Sequence, residues 1–585
     1  MLTHGFHAFK MRSYTKGGTE MKKSLSALLA GIMALSLAAC SGGSTAPEGG
    51  GSSDTPATAA AGDDESSMIV AIASQFDTLD PCLSTTVYNG YVISHIYSGL
   101  MRTNTEGQPE PDLCTSFDIS DDGLTYTFHL RDDVTFSDGT PVTSANYEYA
   151  WLRAMSYGLD AATRTNDMVS YIKGGTEYNK RALEAEAAGT EFDCKTEDHS
   201  TVGINCPDDY TIEVTLENPL AYFPQWLGAG VWSALPLDTP QHDSAWSLEA
   251  GYPTNGPYVL DYININDKAE ISRNENYCDP DFVKMDKITF QVMPDPDAQA
   301  MGFDAGDIDV ALNISTETSS KYMGTENLWV LNYPSAYGLV VNAGPTGPDF
   351  LKDVRVRKAL YIAIDKDAII DVIGGPDMHP ALGGWVAYGL GGVDGDFRTE
   401  RDAQGYEAHY DPEEAKRLLA EAGYDGSDDA HTIHLTYKYS TNSYHADVAT
   451  MLQQMWTAVG LDVDFDAVES GVYYGQLDNG DIQIGRYGLQ VSDSPISFLD
   501  WLSGDKQVTS LAGDEKFDQM LRDVRSVSDE KEFLTRVHEI EDYFIQEQFL
   551  MFPMWQNAQP ALVKSNLKGY ELHITTLWFG NCYFE

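Results

Sequence analysis

From Leu124 to Arg131 the chain alternates strictly. Leu124, Tyr126, Phe128 and Leu130 are apolar, while Thr125, Thr127, His129 and Arg131 are polar. A side-chain period of two is that of a strand with one buried face, so a half-buried β-strand is predicted there. Thr211 to Leu216 alternates in the same way, and the apolar run Met68-Ile69-Val70-Ala71-Ile72 predicts a further strand. Asp138-Gly139 marks a turn, and Thr143 is placed to cap a helix with Ala145, Tyr149 and Leu152 on one face.

The C-terminal half has longer periods. Asp353 starts a predicted helix with Val356, Leu360, Ala363 and Ile364 on one stripe. Asp411-Pro412-Glu413-Glu414 combines a capping acid, a proline in the first turn and a carboxylate at the third position, and Gly423 closes that helix. Ile433, Leu435 and Tyr437 then alternate; Val448, Met451, Leu452, Met455 and Val459 form a helical stripe ended by Gly460; Leu461, Val463 and Phe465 alternate again. Strand, helix, strand in this order predicts a β-α-β unit with parallel strands and a right-handed crossover. Ile482 and Ile484 give another strand, and Arg486 to Ser492 leave its C-terminal end. Ligands of open α/β sheets bind at such ends, which makes residues 486–493 the candidate site.

A chain of 585 residues calls for two or three packing units, so at least two lobes are expected. With 89 acidic against 37 basic residues, the net charge is -52. That field repels phosphate backbones, which argues against a nucleic-acid partner, and a solvated acidic surface accounts for it.

Met21-Lys22-Lys23 is a basic start, Ser24 to Ala39 is apolar, and Leu37-Ala38-Ala39-Cys40 ends it. The stretch is short for a membrane span and reads as a signal peptide over 21–39, behind an upstream extension at 1–20. Small residues before a cysteine resemble a bacterial lipobox, in which the Cys40 thiol is lipidated. Residues 40–67 are rich in Gly, Ser, Ala, Thr and Pro and are expected to act as a flexible tether with a reach of roughly 26–31 Å. The expected location is extracytoplasmic, on a lipid anchor. Cys82, Cys114, Cys194, Cys206, Cys278 and Cys582 remain, and Cys194 with Cys206 is the first pairing expected. No Cys/His spacing has the form of a zinc site.

Leu79-Asp80-Pro81 is followed in order by Ile96-Tyr97-Ser98-Gly99-Leu100, by Ser120-Asp121-Asp122-Gly123-Leu124-Thr125-Tyr126 and by Phe136-Ser137-Asp138-Gly139-Thr140-Pro141-Val142. Then come Thr254-Asn255-Gly256-Pro257-Tyr258, Arg273-Asn274-Glu275-Asn276-Tyr277, Gly306-Asp307-Ile308-Asp309-Val310-Ala311, Asp353-Val354-Arg355-Val356-Arg357-Lys358-Ala359-Leu360 and Tyr410-Asp411-Pro412-Glu413-Glu414-Ala415. This ordered set resembles the family 5 extracellular solute-binding proteins, the oligopeptide and dipeptide receptors of ABC importers.

The resemblance implies an α/β fold of two hinged lobes, like that of periplasmic binding proteins, with a subdomain inserted in the N-terminal lobe. Lobe I would comprise 68–88, 225–335 and 550–585; the insert, 89–224; lobe II, 336–549. It also implies a monomer without cofactor or metal, which captures a short peptide between the lobes by β-augmentation and delivers it to a membrane permease. Leu79, Asp80 and the stretch Arg486, Tyr487, Gly488, Leu489 and Gln490 match the segments that pair with the ligand backbone. One departure stands out. Counting back from Pro495, Val491 occupies the place of the aspartate that holds the peptide ammonium in peptide-binding members, and Gly488 that of a tryptophan. Asp493 is the available substitute.

Two other readings stay open. A secreted hydrolase finds neither G-x-S-x-G nor H-E-x-x-H in its support. The same fold with another cargo, such as an oligosaccharide, could use Tyr473, Tyr474, Tyr487, Trp385 and Trp501 as ring platforms, and a nickel ligand would draw on His431 and His434. Asp80 also reads as a plain turn acid, and Arg486 as either a carboxylate clamp or half of a surface ion pair.

Overall fold

The structure is a computed structural model. It describes residues 66–585 except 105–108, 158–167, 221, 229, 442–443, 492–493, 505–513, 528 and 574–575. Cys40, the leader and the tether lie outside the described residues, as does Asp493.

In chain order the elements that position the site begin with β1 (Ser67–Ile72), α1 (Val87–Ile96), β2 (Cys114–Ile119), β3 (Thr125–Leu130), α2 (Ser144–Met155), β4 (Ile204–Asp208) and β5 (Thr211–Thr215). They continue with β6 (Tyr258–Asn264), β7 (Lys268–Arg273), β8 (Lys287–Val292), β9 (Val310–Ala311), β10 (Leu328–Leu331) and β11 (Ser335–Val341). Last come α3 (Pro412–Glu421), β12 (His434–Ser440), α4 (His445–Ala458), β13 (Asp462–Val468), α5 (Ser470–Asp478), β14 (Ile484–Gln490), α6 (Glu530–Asp542), β15 (Met551–Gln556) and β16 (Gln559–Val563).

Three sheets organise them. A seven-stranded sheet runs β10-β16-β9-β1-β8-β7-β6, a four-stranded one β2-β3-β5-β4, and a five-stranded one β13-β12-β14-β11-β15. The chain therefore passes between the large sheets twice, from β10 to β11 through 332–334 and from β15 to β16 through 557–558. The expected return at 550 falls short of this: β15 is paired antiparallel to β11, so the crossing comes only after Gln556. The insert boundary expected at 89 also moves. It would cut α1, whose His95 stacks on Trp578 at 4.6 Å, meets Phe290 of β8 at 5.8 Å and accepts from the Phe579 amide. Helix α1 thus packs on the seven-stranded sheet, and the four-stranded sheet follows it in the chain.

The local predictions rest on visible chemistry. In β3, Tyr126, Phe128 and Leu130 are buried while the residues between them are half-exposed. Thr143 precedes α2, and the Asn146 side chain reaches back to accept from its amide at 2.9 Å. Asp411 caps α3 by accepting from the Glu414 amide at 2.9 Å, and Gly423 ends that helix at φ 97°, where a Cβ would be strained. The β-α-β unit is present: β12 and β13 pair parallel from His434↔Asp462 to Ser440↔Val468, joined by α4. Its apolar stripe, Val448, Leu452 and Trp456, packs into a core with Leu435, Tyr437, Ile484 and Phe552. The expected Cys194–Cys206 bond is absent, and both are free thiols. Cys194 sits beside Tyr149 and Tyr178, whereas Cys206 faces Glu148 and Ser144.

Candidate functional site

Strand β14 has two different edges. Along one, β11 pairs with it antiparallel over its full length, from Ser335↔Gln490 to Val341↔Ile484. Along the other, β12 pairs only at Tyr437↔Ile484 and Lys438↔Gly485, although its own pairing with β13 continues to Ser440↔Val468. Among the described residues no strand continues that second ladder along Gly488–Gln490. An edge left unpaired offers main-chain donors and acceptors to an extended chain. The strand then runs to the crossover, where the Val491 amide donates to the Pro334 carbonyl at 3.0 Å.

Arg486 is 6% exposed, and its side chain meets no carboxylate among the described residues. Its Nε donates to Ser440 Oγ at 2.9 Å and one Nη to the Tyr474 hydroxyl oxygen at 3.0 Å. The guanidinium carbon lies 5.1 Å and 5.3 Å from the ring centres of Tyr473 and Tyr474, and the Tyr473 hydroxyl donates to the Arg486 carbonyl. Ring faces and hydroxyl oxygens thus meet part of the charge. The side chain is thus buried and not at the surface, with no ion pair among the described residues. On the far side, His445 stacks on Tyr337 at 5.6 Å, and its Nδ1 lies 3.3 Å from the Tyr337 hydroxyl. Burial first, and then the Arg486 charge, pull the His445 pKa down to about 4, so the ring is neutral at pH 7.

The remaining predicted residues separate into near and far. Gly488 and Leu489 are half-buried and Gln490 is exposed, all three at the open edge. Tyr487 stacks on Trp385 at 5.7 Å. Trp385 itself is 0% exposed and donates from Nε1 to the Phe498 carbonyl, so it supports the site from beneath and is no open platform for a ring. Its loop is fixed by Glu541, which accepts from the Val386 amide at 2.8 Å and pairs with buried Arg398 at 2.5 Å. Val491 is buried in the apolar cluster shared with Ile496 and Phe498. Leu79 is likewise buried, its amide donating to Ser247 Oγ.

Asp80 is a correction. Its carboxylate is fully buried and paired with Arg153 of α2 at 2.5 Å and 3.0 Å, so it has no side-chain atom to give a ligand. The Cys82 amide also donates to it, in keeping with the turn-acid reading. His431 and His434 are exposed and held by Asp428, Asp429 and Asp462, and no group of three or more metal-binding side chains occurs among the described residues. Sequence reasoning missed Ser440, His445 and Tyr337. The signal for the first two was available: Ser440 ends a parallel strand and His445 opens the helix that follows it, the strand-end position that singled out Arg486.

Residues 108–510 match the family described as bacterial extracellular solute-binding proteins, family 5 Middle. The oligopeptide-binding protein OppA of Bacillus subtilis is 28% identical over 87% of this chain and 91% of its own. Among solved structures, the murein tripeptide binding protein MppA in its unliganded open form matches with a TM-score of 0.76 at 21% identity, covering 89% of this chain and 98% of that one. Listeria monocytogenes OppA bound to peptide matches at the same 21% identity, over 89% of this chain and 99% of its own, with a TM-score of 0.61. The family match spans more than half of the sequence: this chain belongs to the family 5 bacterial extracellular solute-binding proteins.

Proposed function

We propose that this protein is the capture component of an ABC importer, taking up short peptides between its two lobes and handing them to a membrane permease without chemical change. The observation that carries this reading is the open edge of β14 at Gly488–Gln490, placed where the chain crosses between the sheets. An extended peptide laid along it would continue the five-stranded sheet. Backbone pairing of that kind gives affinity with little regard to side-chain identity. The better agreement with an unliganded open form than with a peptide-bound one supports parted lobes here, with closure by hinge motion about 332–334 and 557–558. Cys40 would carry the lipid that holds the protein at the outer face of the cell membrane, and the protein would act as a monomer.

A mixed library of tri- to hexapeptides should raise the thermal midpoint, and mass spectrometry should recover the peptides intact. Shifts with oligosaccharides and none with peptides would overturn the assignment of cargo. That outcome would favour the second reading, in which the exposed rings of Tyr474 and Trp501 serve a sugar. Recovery of cleaved peptides would restore the hydrolase.

A further inference from the structure

The two crossings between the large sheets are fixed at both ends. In the seven-stranded sheet, Leu331 of β10 pairs with Gln559 of β16. Toward the five-stranded sheet, three consecutive carbonyls of the first crossing are each taken. Tyr333 accepts from Gln556 Nε2 at 2.8 Å, Pro334 from the Val491 amide at 3.0 Å and Ser335 from the Asn557 amide at 3.0 Å. The Ala558 amide in turn donates to the Met378 carbonyl at 3.2 Å. Pro334 fixes its own φ and holds Tyr333 extended. What is left to turn is Asn332, which is exposed, and the link from Ala558 to Gln559.

Of the donors just named, only Gln556 acts through its side chain. It is 0% exposed and uses both ends of its amide. Besides Tyr333, Nε2 meets the Tyr388 carbonyl at 3.4 Å, and Oε1 accepts from the Tyr388 amide at 2.8 Å. Tyr388 lies in the loop that carries Trp385, on which Tyr487 of β14 stacks. At Gly389 that loop touches the crossing itself: a Cβ there would stand 3.4 Å from Pro334 Cγ. One buried amide thus joins both crossings to the support of the cleft strand, and it has no atom to give a ligand.

We infer, resting on the capture role proposed above, that Gln556 is a positioning residue for binding, whose amide confines the interlobe pivot to Asn332 and the Ala558–Gln559 link. A few residues at element ends can absorb the whole rotation of a hinge, and the lobes then part and shut along one path. Without the amide, Tyr333 and the loop at 385–389 lose their tie, and the ligand-free lobes sample a wider range. The fraction competent to close falls, so apparent affinity falls by the same factor for every ligand.

The test reads distance and affinity together. A keto amino acid at Met301 and at Val372, which are 66% and 61% exposed, takes spin labels and leaves the native thiols alone. Pulsed dipolar spectroscopy of the ligand-free protein should give one narrow distance. Gln556→Met, of similar shape, should widen that distribution about twofold. Gln556→Glu keeps the acceptor for Tyr388 and loses the donor to Tyr333; Pro334→Ala frees the crossing without removing a hydrogen bond. Both should widen it as well. Gln556→Met should also weaken each of a set of unrelated tri- to hexapeptides by one common factor, about tenfold. A parental width in Gln556→Met, with or without a lowered urea midpoint, would overturn the inference. So would weakening factors that differ more than about threefold between peptides, since contact and not closure would then be at work. If Gln556→Met does not fold, a parental width in Gln556→Glu or Pro334→Ala overturns it instead. If no peptide binds any form while the distributions widen, the pivot stands and the capture reading falls.

Discussion

Asp80 is the residue at which a ligand role and a structural role make opposite predictions. Its carboxylate and the Arg153 guanidinium are both fully buried, joined by contacts of 2.5 Å and 3.0 Å. Arg153 also donates to the Pro240 carbonyl at 2.9 Å and to the Tyr157 hydroxyl at 2.9 Å, so the pair ties α2 to the segment between β1 and α1. Changing Arg153 to Ala strands a carboxylate whose described donors are then reduced to backbone such as the Cys82 amide. Breaking one side of a buried pair costs about 3–5 kcal/mol, because the remaining charge loses its partner while staying dry. Asp80→Asn keeps the shape but leaves the guanidinium uncompensated, and the same range applies. Replacing both partners with apolar residues of similar volume should recover much of the loss. Urea unfolding followed by tryptophan fluorescence is the assay, since the Trp246 ring lies 5.5 Å from the Arg153 guanidinium. Ligand affinity of the folded fraction is measured beside it. The expected result is a large loss of stability with affinity within a few-fold of the parent. A stability change below about 1 kcal/mol, the range of an exposed pair, together with lost affinity would refute the reasoning and return Asp80 to the ligand.

Acidification separates two buried groups. Folding lowers the His445 pKa from 6.5 to about 4, so its stabilising contribution is lost as pH falls from 6.5 towards 4. Burial raises Asp112 from 3.8 to about 6 against the opposing charges of Arg102 and Arg131, so its contribution grows as pH falls from 6 towards 3.8. Between pH 7 and pH 5, His445→Gln should therefore spare about 2 kcal/mol of acid sensitivity and Asp112→Asn should add about 1 kcal/mol; equal pH slopes in the three proteins would contradict both. Trp385→Ala should cost about 3–5 kcal/mol of stability, as for a large buried aromatic side chain, whereas an open sugar platform would lose binding alone. Unfolding should expose Cys82, Cys114, Cys194, Cys206, Cys278 and Cys582 as titratable thiols, and reductant should leave the thermal midpoint unchanged; a midpoint lowered by reductant would reveal a disulfide.

The β-α-β unit of 434–468 was legible because each element buries one face and so prints its own period. The second crossover was not. All six residues of β15 are buried, and a uniformly apolar run does not say which sheet it joins. Helix α1 was assigned to the insert for a related reason: its place is fixed by Trp578 and Phe579, more than 480 positions away. At the site, strand-end logic led to Arg486 and its neighbours. It could not give their surroundings, because Ser440 lies 46 positions from Arg486 and Arg153 lies 73 positions from Asp80. Trp385 looked like a platform by residue type alone, and only packing shows its faces taken by Tyr487 and Phe498.

Amide hydrogen exchange, read residue by residue across Gly488–Gln490 with and without a saturating peptide mixture, tests the account where it is most exposed. A peptide strand added to the open edge of β14 should slow exchange at outward-facing amides of this stretch at least tenfold. Saturable binding that leaves those amides exchanging at their free rate would mean that the cargo is held somewhere other than the edge of this sheet.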